Sequence, residues 1–425
     1  MVDDKTNIAA STNDADGQSA IQWRPADTVM RLERLGSFHQ SRLSFMRLLT
    51  RRMQRENWIF SRPEFSIDAK GIGHALYSMR GPERTYTLVA FAHDIPKEQR
   101  SDRVIATAWD ATFALFDGVP TAEDVARLSQ NVPGQETGRI TQSELTLSRA
   151  NRSVRLWEHV VSSLAKGRQP DVNLIDNVGY LMRTTAVYGS GKFGAIDRSR
   201  IAGRDELSAP FQAEMLTVYL IRTFIRDLVQ HAATCRGGSN TAALSADIAR
   251  RLGVGNSTGL GMAPFLINHP NLFNNWIVVR EEALRRVRAV PEATEIEVES
   301  FVQKLSQTHV LFRHWNSEHP IQRDKVDKLR ADVVCLSKHI ARSDIRTDYP
   351  WNRLFHWSNE NLGLEAQECL NSLMLEPYAN LVDGLEECMS APLKKTTGGL
   401  YLTIGVTRSR QHGLGMFLRK NWNRV

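Results

Sequence analysis

Ala75-Leu76-Tyr77-Ser78-Met79-Arg80-Gly81-Pro82-Glu83-Arg84-Thr85-Tyr86-Thr87-Leu88-Val89-Ala90-Phe91 is the stretch whose reading decides the fold. Two short runs rich in apolar, aromatic and β-branched residues flank Arg80–Arg84, where glycine and proline supply a turn, so the pattern predicts an antiparallel hairpin. Moving outward, Phe65-Ser66-Ile67 on one side and Val104-Ile105-Ala106-Thr107-Ala108-Trp109 on the other have the same character. The prediction is a meander of three or four strands within residues 63–118.

Beyond the meander the period changes. Thr121-Ala122-Glu123-Asp124 carries a capping-box signature, in which a hydroxyl and a carboxylate satisfy the free amides of a helix start. Apolar residues then recur at three- and four-residue spacing over 145–166, 172–186, 210–233, 242–252, 263–288, 295–314, 321–343 and 364–388. Val298, Phe301, Val302, Leu305, His309 and Phe312, for example, fall on one stripe, which makes His309 a buried structural histidine. A last β-like piece, Gly399–Val406, is expected to return to the early sheet. The fold class is therefore mainly α within α+β: a multi-helix body with a small antiparallel β-sheet near the N-terminus. The expected domains are a disordered tail over 1–22, a basic helix plus meander over 23–120, a helical body with a ligand cleft over 121–393, and a β-like segment with a basic tail over 394–425.

Composition narrows the class. The chain has 425 residues, 42% hydrophobic and 24% charged, which excludes wholesale disorder, collagen-like repeats and a coiled-coil rod. Cys235, Cys335, Cys369 and Cys388 lie far apart with no C-x-x-C pair, so neither a disulfide framework nor a thiolate zinc site is expected. No apolar run reaches the roughly 20 residues that span a bilayer, and the start Met-Val-Asp-Asp-Lys is unlike a signal peptide. These features predict a soluble, cytoplasmic protein with no membrane partner.

The net charge of +7 is small for this length, so its distribution matters more than its size. Between residues 31 and 55, Arg31, Arg34, Arg42, Arg47, Arg51, Arg52 and Arg55 face a single acid, Glu33, and alternate with Leu32, Leu35, Phe45, Leu48 and Leu49. This reads as a basic amphipathic helix packed on the body or on another subunit, or as a surface for phosphates or an acidic partner.

Three features point to anion binding. Tyr188-Gly189-Ser190-Gly191-Lys192-Phe193-Gly194 places three glycines in six residues, which lets backbone amides approach an anion while Lys192 and Arg183 add charge. Phe193 after Lys192 excludes a Walker loop. Gly253-Val254-Gly255-Asn256-Ser257-Thr258-Gly259-Leu260-Gly261 precedes an apolar helix, and Asn256, Ser257 or Thr258 could cap it. Its spacing is not G-x-G-x-x-G, so a Rossmann turn is not expected. Between these loops, the apolar segment 214–230 carries one polar stripe, Glu214, Arg222, Arg226 and Gln230. Buried arginines need partners: acids on neighbouring helices, or an anionic substrate clamped by Arg222 and Arg226. Asn268-His269-Pro270-Asn271, with Asn274 and Asn275 beyond, adds a concentration of amides that reads as ligand-lining.

A fourth pattern repeats His and Glu four apart, at His314/Glu318 and His356/Glu360, a set that two facing helices could offer to iron, manganese or zinc. It matches neither H-E-x-x-H nor the Glu-x-x-His of di-iron bundles.

The expectation is an enzyme acting on a small carboxylate- or phosphate-bearing metabolite by general acid/base chemistry. Tyr188, Lys192, His269 and Glu214 are its candidate catalytic groups; Arg183, Ser190, Arg222, Arg226, Asn256, Ser257, Thr258 and Asn274 are its candidate substrate contacts. The sequence does not choose between lyase, isomerase and oxidoreductase chemistry and names no cofactor. A homo-oligomer is compatible with it. The alternatives are a nucleic-acid or protein-binding module using residues 31–55, and a metal- or haem-dependent oxidoreductase using the two His/Glu pairs.

Overall fold

A computed structural model describes residues 21–96, 108–135, 141–188, 204–207, 209, 211–256, 270–315, 317, 319–343, 345–346, 348–390, 394–396, 399–405 and 417–422. Six strands follow one another as an antiparallel meander: β1 (Ile59–Ile67), β2 (Gly73–Arg80), β3 (Thr85–Ala92), β4 (Ala111–Asp117), β5 (Glu144–Arg152) and β6 (Tyr180–Tyr188). A seventh, β7 (Gly253–Asn256), adds to β6 in parallel. The hairpin read from the sequence is present, with Met79 opposite Tyr86 and Tyr77 opposite Leu88.

The protein is α+β and mainly helical, but its sheet is neither small nor purely antiparallel. It is a curled, mixed, seven-stranded sheet. Residues 145–152 and 180–186, expected to be helical, are β5 and part of β6. The reason is burial on both faces. Leu145 and Leu147, and the adjacent Leu181 and Met182, are all inside the protein, so these strands lack the apolar/polar alternation that marks a half-exposed strand. Gly179, with φ of 73°, stops the preceding helix and turns the chain into β6. Of the expected fourth strand, 104–107 lie outside the described residues, and β4 begins at Ala111 instead.

One face of the sheet wraps around a long helix. The helices of this part are α1 (Ala26–Val29), α2 (Leu32–Gly36), α3 (Phe45–Arg55), α4 (Ala122–Ser129), α5 (Trp157–Ala165), α6 (Val172–Val178), α7 (Gln212–Gly237) and α8 (Ala246–Arg251). Phe224 of α7 meets Phe113 and Tyr77 edge-on at 5.4 and 6.1 Å, and Thr217 shares a 2.6 Å hydrogen bond with Thr146 of β5. The opposite face packs Leu76, Val89, Phe91, Ala114, Phe116 and Leu147 under Leu128 of α4. The capping box at Thr121 and Asp124 forms as the sequence predicts.

The expected basic helix is broken. Ser37 and Ser44 hydroxyls donate to the carbonyls of Glu33 and Ser41, and the Ser41 hydroxyl accepts from the Leu43 amide, so side chains take over hydrogen bonds that a continuous helix would make.

The second part consists of α9 (Pro270–Arg288), α10 (Glu295–His314), α11 (Pro320–Arg342), α12 (Pro350–Asn361), α13 (Leu364–Met374) and α14 (Ala379–Val382). Proline opens α11 and α12, and a Thr294–Glu297 capping box opens α10. From Ala366 to Met374 every residue of α13 is buried, including Gln367, Glu368, Asn371 and Ser372. Near the C-terminus β8 (Lys394–Thr396), β9 (Gly399–Gly405) and β10 (Phe417–Trp422) pair among themselves, so the expected return to the early sheet is not made. Among the described residues no helix is long and apolar enough to cross a membrane.

Candidate functional site

Parallel pairing of β6 with β7 brings together segments far apart in the chain. Arg183 lies in register with Gly255 and Thr184 with Asn256, and the Thr184 hydroxyl donates to the Gly255 carbonyl at 3.1 Å. Both strands therefore end on the same side of the sheet. From Tyr188 the chain enters the first glycine-rich segment, and from Asn256 it enters the second. Ser190, Lys192, Ser257, Thr258 and His269 lie outside the described residues; Tyr188 and Asn256 are placed by their backbones only.

The same end of the sheet receives the segment that follows the first loop. Arg204 pairs with Asp117 at the end of β4, Asp205 accepts from Arg52 of α3, and Glu206 accepts from the hydroxyl of Tyr86 near the start of β3. Burial first, and then Glu206, push the Tyr86 hydroxyl above its ordinary range. Glu206, Asp205, Glu56, Trp58 and Arg84 line a cleft of 200 Å³ there. Helix α7 starts at this end too, and places Glu214 in its first turn, 3% exposed. An acid suits that position because helix N-termini carry partial positive charge.

One of the glycines has a packing role. A Cβ on Gly255 would come within 2.5 Å of the Tyr180 ring, so glycine there lets β7 lie close beside β6. The Gly253 amide donates to the Gly179 carbonyl.

The arginine stripe of α7 donates to backbone carbonyls, a partner the sequence pattern does not show, although the Arg226 Nε has no partner. Arg222 donates to Leu252 at 2.7 Å, Ala249 at 3.1 Å and Arg250 at 2.9 Å; Arg226 donates to Ala249. Gln230 continues the pattern with the Ala242 carbonyl and the Leu244 amide. The stripe thus ties residues 242–252, including the end of α8, to α7 and fixes where β7 begins. Burial lowers the pKa of both arginines from the usual guanidinium range.

Within the segment expected to line a ligand, residues from Pro270 onward are helical, and Asn274 is half-buried on α9. Asn275 donates to the Met389 carbonyl and Trp276 to that of Leu43, so these two anchor neighbouring chain.

Charges in 31–55 are largely spoken for. Arg34 pairs with Glu368, Arg42 and Arg51 with Asp383, Arg47 with Glu376 and Arg52 with Glu56. Of the His/Glu pairs, His314 approaches Asp176 at 3.4 Å, His356 and Glu360 are exposed on α12, and Glu318 lies outside the described residues. Among the described residues no three His, Cys, Asp or Glu side chains are grouped to hold a metal ion.

A second concavity, a groove of 490 Å³, runs between α10 and α11 and is lined by Val298, Val302, Leu305, Ser337 and Ile340. Half-buried His309 bonds Ser337 there at 2.7 Å, and Ser343 bonds His339 at 3.3 Å. Among the described residues no carboxylate completes either pair as a catalytic triad.

No protein-family model, no curated protein and no solved structure matches this chain.

Proposed function

We propose that the chain is an enzyme acting on a small carboxylate- or phosphate-bearing metabolite at the ends of β6 and β7. The parallel pairing of these strands carries the reading. It starts two glycine-rich segments side by side at carboxyl strand ends, where open α/β sheets place their ligands. In this proposal Lys192, Arg183, Ser190, Asn256, Ser257 and Thr258 hold the anionic group, and Asn274 borders it. Tyr188, His269 and the buried Glu214 move protons. Arg222 and Arg226 act as positioning residues that hold β7 through carbonyls, in place of the direct clamp the sequence pattern offered.

The test is a thermal-unfolding screen of the full chain against carboxylates, phosphates and nucleotides, repeated with Lys192→Met. A ligand raising the wild-type midpoint but not that of the variant supports the reading, since selective native-state binding stabilises by mass action. If none of these anions shifts the wild type, or if Lys192→Met responds equally, the proposal is wrong.

A further inference from the structure

Inside the second part, a fully buried carboxylate is ringed by three guanidiniums. Glu368 accepts from Arg24 at 2.6 Å and Arg34 at 2.7 Å on one oxygen, and from Arg280 at 2.7 Å on the other. Arg24 also forks onto Glu281, at 2.9 and 2.6 Å. The surrounding arginines hold the Glu368 carboxyl down at about 2 despite burial.

Two features of this network are unfinished. Among the described residues Arg24, Arg34 and Arg280 oppose Glu281 and Glu368, with Arg280 Nη1 3.9 Å from a Glu281 oxygen, beyond hydrogen-bond distance, and this leaves at least one buried positive charge unmatched. Glu282 does not offset it, being held by Arg285 and Arg286. Neighbouring Arg288, whose pKa is pulled down to about 10 by burial and by the Arg24 charge, adds to the positive potential. Second, Arg280 is 1% exposed, yet its Nε and Nη1 have no hydrogen-bond partner; neither does either amide atom of Asn371, 3% exposed and three residues after Glu368 on α13. That spacing puts Asn371 on the helix face that carries Glu368. The Phe38 ring lies 3.9 Å from the Arg280 guanidinium and stacks on it without using its N–H donors.

Buried donors with no acceptor keep their desolvation cost uncompensated, the more so when charged. We propose that Arg280 and Asn371 hold a small monoanion inside this network. One negative charge offsets part of the surplus that these arginines and the buried Arg288 leave. Every side chain of the network is buried, so the proposed ligand is as small as chloride, formate or bicarbonate, and sulfate is too large for it. The Asn371 amide oxygen wants a donor, which bicarbonate carries in its own O–H and the other two lack. This site is separate from the β6/β7 ends and does not depend on the function proposed for them.

Thermal unfolding of the full chain at fixed ionic strength tests it, with gluconate, too large to enter, replaced by chloride, formate, bicarbonate or sulfate. The expected result is a midpoint rise of about 2–4 °C at roughly a hundredfold excess of a monoanion over its dissociation constant, and none from sulfate beyond gluconate. A larger response to bicarbonate identifies the O–H contact; equal responses leave a general monoanion site. Asn371→Asp, nearly isosteric, supplies the negative charge in place. It should melt at or above the wild type in gluconate and respond to none of the anions. Asn371→Leu, which brings no charge, should lose the response as well. A wild type indifferent to monoanions means that water alone fills the site and overturns the proposal. So does a response that follows sulfate equally, or one that either variant retains in full.

Discussion

The two parts of this molecule bury arginine in opposite ways. On α7, under the sheet, Arg222 and Arg226 give their donors to the carbonyls of Ala249, Arg250 and Leu252. In the second part, the carboxylates of Glu368 and Glu281 take those of Arg280 and of Arg24 and Arg34, which reach in from the N-terminal segment. Burial lowers the pKa of Arg222 and Arg226, whereas the carboxylates raise that of Arg24 despite its burial. A carbonyl fixes geometry without neutralising the cation, and removing its donor forfeits hydrogen bonds. A buried carboxylate shares its charge among several partners, so removing it strands all of them.

That contrast can be broken by substitution. Glu368→Gln should have the largest effect, about 3–5 kcal/mol of stability in urea unfolding, because it leaves three buried guanidiniums facing one remaining carboxylate. A loss below about 1 kcal/mol would dissolve the distinction between the two parts. Arg222→Met should cost less, about 1.5–3 kcal/mol, as expected for charge-assisted hydrogen bonds. Its effect should be local: hydrogen exchange at Gly253–Asn256 should speed up more than exchange in β2 or β3.

Acid titration sharpens the comparison. The folded pKa of Glu368, about 2, lies below the ordinary glutamate value near 4.5, so its stabilisation is present above the unfolded pKa and is lost as pH falls from about 5 to 2. The Glu368→Gln variant should show a flatter stability profile across that window. In the sheet part, burial first and then the Arg152 charge hold His93 at about 4, below its ordinary 6.5. The unfolded chain takes up a proton there first, so this contribution is lost as pH falls from about 7 to 4, and His93→Asn should flatten that higher window. The smallest effect belongs to Arg346→Ala, whose exposed pairing with Glu295 at 3.3 Å should change stability by no more than about 0.5 kcal/mol.

Legibility followed solvent exposure. Helices α10 and α11 are almost where the periodicity of 295–314 and 321–343 predicts them, because each keeps a wet face and has a marked start at Thr294 or Pro320. The hairpin of β2 and β3 was readable from its turn. β5 and the first half of β6 do not show in the pattern, because water touches little of β5 and Leu181, Met182 and Thr184 of β6 are buried. The Glu368 network left no local trace, since Arg24 and Glu368 are 344 residues apart. Nor does the sequence of α13 mark Glu368 as the buried acid, since Glu365, Gln367, Asn371 and Ser372 stand beside it. The α7 stripe was visible as a row of arginines, but its carbonyl partners were not.

By itself, then, the sequence determined the mainly helical α+β character, the first hairpin, the capped helices and the places where glycine, lysine and arginine concentrate, because these rest on interactions within a few residues. Only the tertiary structure decided that β7 lies parallel to β6, that the arginines of 31–55 face acids of the C-terminal helices, and that α13 is buried on every side. Those outcomes depend on which distant surfaces exclude water together, and pairing across hundreds of residues imposes no periodicity on either partner.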